Sequence, residues 1–261
     1  MKPTQLSLAV AVGLACAIAA TPAQAQQAGT GSSAQGEAAT LDTITVSARR
    51  REETLQEVPV AVSAFSSDDL ADLQARNIDG LQGAVPNVNI VQGRGSSSAV
   101  NVFIRGIGQP DALQTFDPGV GMYVDDVYYS RIQGALFGLF DVERVEVLRG
   151  PQGTLYGKNS TGGAIKLVTR SPDQADGGSL ELTAGNFGRL EGRFYAATGE
   201  NPGGLAASIA MARMQTDGYV TDPASGQKYN DDDTIAVRGK VQLRPSDAFS
   251  ATLTADWTEQ D

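Results

Sequence analysis

Val142 to Pro172 read "VERVEVLRGPQGTLYGKNSTGGAIKLVTRSP", and the fold turns on what this stretch is. It reads as a short strand, a glycine-studded loop and a second short strand. Five glycines, Gly150, Gly153, Gly157, Gly162 and Gly163, crowd the loop. Glycine loops after strands often cradle phosphate, and such a loop needs the pattern G-x-x-x-x-G-K-[ST]. Upstream of Gly157-Lys158 the nearest glycines are Gly153 and Gly150, at the wrong spacing. Asn159 stands where the magnesium-binding hydroxyl belongs, and no βαβ pattern follows. The nucleotide reading fails. The glycines are expected instead to let the backbone turn tightly and pack closely, as a compact structural turn.

Composition narrows the function classes. The 261 residues suffice for one or two domains, and 41% hydrophobic against 19% charged residues excludes a wholly disordered chain. A net charge of −10 argues against nucleic acid, whose affinity rests on Lys and Arg contacts to phosphate. Histidine is absent, which removes Ser-His-Asp and Cys-His catalysis and the usual zinc sites. The single cysteine, Cys16, lies in a segment expected to be cleaved: Lys2 is followed by an apolar run from Leu6 to Ala20 and by the small-x-small site Ala23-Gln24-Ala25. Residues 1–25 therefore read as a secretory signal peptide, too short and too lightly flanked for a membrane span. Lipoprotein processing at Cys16 competes less well, because Gly13 occupies the position that normally holds Leu.

Residues 26–40 are small and polar and read as a flexible linker. Asp42 to Ser47 alternates β-branched and polar residues, so it can extend, but a strand this short needs a sheet of its own domain or a partner's sheet edge. Val58 to Ala64 predicts a strand, then Ser66 or Ser67 caps a short helix with Asp68 and Asp69 in its first turn. A second helical turn is expected over Asp79 to Ala84, ended by Pro86. From Val100 short strands follow, with a turn available at Asp125-Asp126 and no clean polar-out pattern. Such strands suit enclosure by something else.

After Pro172 the pattern changes. Ile235, Val237, Gly239, Val241 and Leu243 alternate with Ala236, Arg238, Lys240, Gln242 and Arg244. Phe249 to Trp257 repeats this alternation, and Ser179–Gly185, Arg189–Gly199 and Gly204–Met214 are weaker versions. About ten alternating residues is the length of a tilted strand crossing a bilayer. Short connections at Asn201–Gly204 and Pro245–Asp247, with a long acidic one from Thr216 to Asp233, fit an outer-membrane barrel. Phe249 and Trp257 fall where aromatic girdles would sit. A soluble antiparallel sheet with one wet face would alternate likewise.

Taken together the motifs resemble the TonB-dependent outer-membrane receptors. The Val142–Pro172 stretch looks like the family's plug signature, and "VFIRGIG" (Val102–Gly108) and "GMYVDDVYY" (Gly121–Tyr129) resemble two further plug motifs in the family order. "LDTITVSARRREETLQEVPVAVSAF" (Leu41–Phe65) resembles the TonB box and the start of the plug. The resemblance implies a mainly β chain: a small α+β plug domain, then a transmembrane antiparallel β-barrel of which about the first five strands are present. It divides the chain into signal peptide 1–25, linker 26–40, TonB box region 41–50, plug 51–172 and barrel start 173–261. Asp42, Thr43, Ile44, Thr45, Val46, Ser47 and Ala48 would pair as an added strand with the periplasmic domain of TonB, itself energised from the inner membrane. Arg105, beside Gly106, and Arg149, beside Gly150, match plug arginines that pair with barrel glutamates, while Gly153, Gly157, Gly162 and Gly163 are structural. The implied function is active uptake across the outer membrane of a Gram-negative cell, most often of a ferric siderophore, with no enzyme chemistry, cofactor, metal site or nucleic acid. Outer-membrane lipid would surround the wall.

Family barrels have about twenty-two strands, so a chain with five is expected to be a fragment of a longer receptor. A soluble periplasmic plug-like binding module from a truncated gene is the alternative. A secreted hydrolase would have to rely on carboxylates, and Asp125 and Asp126, adjacent on a predicted strand, would point to opposite faces. Gln92–Ser98 and Gln109–Phe116 are candidate ligand loops without decisive chemistry.

Overall fold

The computed structural model describes residues 44–93, 99–110, 116–131, 138–174, 176–246 and 248–260. The signal segment, the linker, Asp42, Thr43 and parts of both candidate ligand loops lie outside the described residues.

The first strands are small. β1 (Thr45–Val46) and β2 (Glu53–Thr54) form an antiparallel hairpin, followed by β3 (Val62–Ser66), α1 (Ser67–Asp72) and a 3-10 turn at Ile78–Leu81. β4 (Val88–Gln92), β5 (Val100–Ile104) and β6 (Ile107–Gly108) make a three-stranded sheet. Then come β7 (Val120–Val124), β8 (Val127–Tyr129), β9 (Val142–Arg149), the single-turn α2 (Gly153–Tyr156) and β10 (Gly163–Thr169). A mixed sheet orders five of these as β3-β9-β10-β7-β8, with β10 parallel to β7 and antiparallel to β9.

Both faces of the mixed sheet are covered, which is why its strands lack polar-out alternation. On one face Met122, Val124, Val145, Val147, Ile165 and Leu167 pack with Ile78, Leu81, Ile90 and Ile104. On the other, Tyr123, Leu148 and Ala164 pack with Val46, Ala48, Val58 and Tyr156. Ser66, one of the two residues eligible as cap, closes a capping box: its Oγ accepts from Asp69 N (3.2 Å) and the Asp69 carboxylate accepts from Ser66 N (2.8 Å). The strand expected over Val58–Ala64 begins only at Val62, since Pro59 has no N–H to give a ladder. Asp125 (φ 45°) and Asp126 (φ 68°) form a two-residue left-handed turn joining β7 to β8.

A second, long-stranded antiparallel sheet follows. It contains β11 (Asp176–Ala184), β12 (Leu190–Thr198), β13 (Leu205–Thr216), β16 (Asp232–Ser246) and β17 (Phe249–Gln260), paired in that order. The acidic connection from Thr216 to Asp233 is more than a loop, because β14 (Val220–Thr221) and β15 (Lys228–Tyr229) pair within it. The Asp222 carboxylate turns that hairpin by accepting from Ala224 N (3.0 Å) and Ser225 N (3.2 Å). Leu180, Phe194, Met211, Val237 and Trp257 lie in one register row across all five long strands, and each but Val237 is a large exposed apolar residue. The opposite face is small and buried at Ala206, Ala210, Ala212 and Ala236, which lets this sheet pack closely against Phe140.

Gly163 is where the quoted stretch is most constrained. Its φ is +149°, and a Cβ there would overlap the Leu148 carbonyl oxygen and sit 2.9 Å from Ile104 Cδ1. A Cβ on Gly162 would sit 2.8 Å from the Ile107 carbonyl oxygen. Gly163→Val is therefore expected to destabilise the fold by about 3 kcal/mol or more. Urea unfolding followed by limited proteolysis measures this, and an unchanged midpoint would show that β10 can enter the sheet differently.

Candidate functional site

The quoted stretch meets the N-terminal segment. Ser47 donates from N and Oγ to Glu146 Oε1 (2.8 and 3.0 Å), while its Oγ accepts from Lys166 Nζ (2.8 Å) and Arg144 Nη2 (3.2 Å). Tyr156 Oη donates to the Ala48 carbonyl (2.8 Å), and Arg50 Nε donates to the Leu155 carbonyl (3.0 Å) with its guanidinium 5.3 Å from the Tyr156 ring centre. Arg144 and Glu146 come from β9, Leu155 and Tyr156 from α2, and Lys166 from β10. Glu146 and Lys166 are direct neighbours across β9 and β10, because antiparallel register puts them on one face. Val46 and Ala48 are fully buried in this seat, whereas Ile44 is 37% exposed. The extended segment expected to await a partner thus pairs with β2 of its own chain.

A second set of contacts fixes the mixed sheet to the long-stranded one. Along β16 every second side chain faces inward. Lys240 reaches Asp125 Oδ2 (3.1 Å), the Arg170 carbonyl (3.1 Å) and the Thr169 hydroxyl. Arg238 lies 3.7 Å from Asp141 and over the Phe140 ring, and also pairs with Asp256. Gln242 Oε1 accepts from Ser171 Oγ (3.5 Å), and Arg244 pairs with Asp173 (3.1 Å) and Glu200. From the other side Arg76, just after α1, pairs with Glu191 (2.6 Å) on β12 and Asp232 (3.5 Å) on β16. These docking residues escaped the sequence reading. Their only signal was the run of cations at alternate positions, Arg238, Lys240 and Arg244.

The other expected site residues separate. Arg105 (φ 53°) and Gly106 (φ 81°) form the exposed β5–β6 turn, and Arg149 ends β9 with its Nε buried. Neither arginine has an ion-pair partner among the described residues. The two motif ends meet all the same, since Arg105 Nη1 would lie 3.2 Å from a Cβ on Gly150. Gly153 opens α2, and Gly157 (φ 82°) ends it.

Acidic pairs are spent on structure. Asp125 accepts from Thr169 N (2.9 Å) and Asp126 pairs with Lys166 (2.9 Å), while Asp232 and Asp233 pair with Arg76 and Arg213. Among the described residues no three acidic, Cys or His side chains gather as metal ligands. A polar cleft of about 460 Å³ lies between α1 and β11–β13, lined by Arg76, Asp141, Arg170, Glu181, Arg189 and Glu191 among others. Burial pushes the Asp141 carboxyl up to about 6, against the opposing pull of Arg238, Lys240 and Arg170.

Comparison with known proteins identifies this architecture. Residues 54–164 match the TonB-dependent Receptor Plug Domain. The Vitamin B12 transporter BtuB of Vibrio vulnificus is 27% identical over 223 residues, covering 85% of this chain and 36% of that protein. The pesticin receptor of Yersinia pestis is 33% identical over 187 residues, covering 71% and 27%. The crystal structure of the ferric yersiniabactin uptake receptor FyuA from Yersinia pestis superimposes with TM-score 0.65 at 31% identity, over 72% of this chain and 29% of that one. The chain belongs to the TonB-dependent outer-membrane receptors and presents their plug with five strands of barrel wall. It spans about a third of the length of these relatives.

Asp141 gives a pH test. Its folded pKa lies above the unfolded value near 3.9, so its stabilising contribution is full below about pH 4 and is lost as pH rises through about 6. Asp141→Asn should flatten the fall in thermal midpoint between pH 4 and 6. An identical slope in both proteins would place the titration elsewhere.

Proposed function

We propose that this chain forms the plug, the TonB-contacting segment and the first wall strands of an active uptake receptor of the outer membrane. In that reading residues 1–25 direct export, 26–40 tether, 41–50 meet TonB, 51–172 plug the pore and 173–261 begin the barrel. The single observation that carries it is the position of Ile44–Ala48: a two-strand hairpin laid on the plug sheet, immediately ahead of the matched domain. A strand of two residues gains little from its own ladder, so it is suited to exchange for a longer pairing with a partner's sheet edge. Pulling on it loads β2 and then β3, an edge strand of the plug sheet. The apolar outer face of β11–β17 is suited to lipid, with Trp257 and Phe249 near its two margins.

A ferric siderophore is the proposed solute class. FyuA, named as a ferric yersiniabactin uptake receptor, supports it at 31% identity, although the similar BtuB is named as a vitamin B12 transporter. Among the described residues neither Arg105 nor Arg149 has an ion-pair partner, a valence that barrel carboxylates would fill.

Ile44→Pro tests the partner role. Leu55 N donates to the Ile44 carbonyl (2.9 Å), a bond that proline at 44 keeps, whereas the N–H that an added strand needs is removed. In the whole receptor uptake of a radiolabelled ferric siderophore should fall at least tenfold, with surface binding within twofold of the parent. Unchanged uptake, or lost binding, would count against this role.

A further inference from the structure

We infer that Arg76, a plug residue, is the positioning residue for the β14–β15 hairpin of the wall, and that it sets the pose in which this hairpin meets incoming solute. The part concerning solute rests on the proposed uptake role, in which a long connection of the wall faces outwards.

Three observations carry the inference. First, one guanidinium reaches both feet of the hairpin. Thr216 and Asp232 are the last register pair of β13 and β16, and β14 and β15 lie in the chain between them. Arg76 Nη2 lies 3.4 Å from Thr216 Oγ1 and 3.5 Å from Asp232 Oδ2, while its Nε lies 2.6 Å from Glu191 on β12. A planar fork can serve two strands at once, which the point charge of a lysine cannot. Second, the neighbouring turn is tied to the same place. Asp217 N donates to the Phe187 carbonyl (2.7 Å), the Phe187 and Tyr219 rings lie 6.2 Å apart, and Glu191, only 3% exposed, also takes Arg189 (2.7 Å) from that turn. Third, the hairpin holds itself weakly. Its strands are two residues each, and Tyr219, Val220 and Tyr229 are all 45% or more exposed. The Lys228–Asp217 pair at its neck is exposed on both sides and 3.8 Å apart. A ribbon that buries so little gains its pose from its base.

The tie is separable from the fold. Without the Arg76 side chain, Glu191 keeps Arg189, and Asp232 keeps the Thr234 hydroxyl (2.6 Å), so no buried carboxylate is orphaned. The Arg76 carbonyl accepts from Leu139 N (2.7 Å), a bond that any side chain at this position retains. What goes is the link between plug and hairpin. A loop already in its receiving pose needs less ordering when solute arrives, so apparent affinity follows the fraction of hairpins in place. Arg76 acts through the hairpin and does not itself touch solute.

The test uses the whole receptor in outer-membrane vesicles, freed of cysteine elsewhere; residues 26–261 contain none. Spin labels on Ala224→Cys in the exposed hairpin turn and on Ala251→Cys of β17 report the hairpin's distance distribution by electron–electron resonance. Arg76→Met should widen that distribution about twofold, and Asp232→Asn should do the same from the wall side. Arg76→Lys should lie between Arg76→Met and the parent. A second pair, Asp72→Cys on α1 with Ala251→Cys, should keep the parent's distance and so show the plug in place. If that pair moves in Arg76→Met, Asp232→Asn decides, because it leaves every plug residue unchanged. The KM for uptake of a radiolabelled ferric siderophore should rise about fivefold in Arg76→Met with maximal rate within about twofold, the effect of thinning the competent population. Adding Asp232→Asn to Arg76→Met should raise it no further, since both remove one tie. An unchanged hairpin distribution in Arg76→Met would overturn the inference whatever the uptake, and so would additive effects of the two substitutions. A wider distribution with an unchanged KM would overturn the role in solute capture. A wider distribution in a receptor whose parent takes up no ferric siderophore would keep the positioning and remove the proposed solute class instead.

Discussion

Everything in this molecule hangs on how β10 lies between β9 and β7. Gly163 must leave the loop at φ +149° with its Cα against the Leu148 carbonyl, a place where no side chain fits. Once β10 is seated, its alternate residues are committed to two different cores. Ile165 and Leu167 close the face that Ile90, Ile104 and Ile78 complete, and Ala164 and Lys166 look to the face that receives residues 46–48. Thr169 and Arg170, at the end of the same strand, are the atoms that Lys240 of the wall grips. Core, segment and wall are thus three consequences of one backbone path.

The docking of plug on wall rests largely on charge. Arg76, Arg238 and Lys240 each meet a carboxylate across the interface. Small alanines on the inner face of β13 and β16 let the two units approach, so the long cationic side chains bridge rather than separate them. Apolar burial alone would have no orientation; paired charges at alternate positions of one strand fix the register of contact. The Asp141 carboxyl shows the cost, since burial there outweighs the nearby cations and lifts its pKa.

Much of the fold could be read from residue order. The alternation in Ile235–Arg244 and Phe249–Trp257 emerges as β16 and β17, and the glycine loop lies between two strands that pair. The Asp125-Asp126 turn is where expected because both residues tolerate left-handed backbone. Pairing order was not legible: nothing local says that β10 lies beside β7 in parallel or that β3 takes the edge. The seat of the N-terminal segment was hidden for a related reason. Ser47 and Glu146 are 99 residues apart, and a serine in an extended stretch carries no mark of its acceptor. Alternation could place Arg238 and Lys240 on one face, but the acids they meet sit in turns whose position depends on the whole sheet.

The central claim of the proposed partner role is that the segment ahead of the plug stays packed on a face of the plug sheet until a partner takes it. Hydrogen–deuterium exchange on the full receptor in outer-membrane vesicles, with and without the purified periplasmic domain of TonB, measures this directly. The amides of Ser47, Arg50 and Leu55, which donate to Glu146, Ser47 and Ile44, should be protected in the receptor alone. On addition of the TonB domain, Ser47 should lose its present acceptor while Arg144–Lys166 becomes more exposed. Immediate exchange of all three amides in the receptor alone would contradict the account.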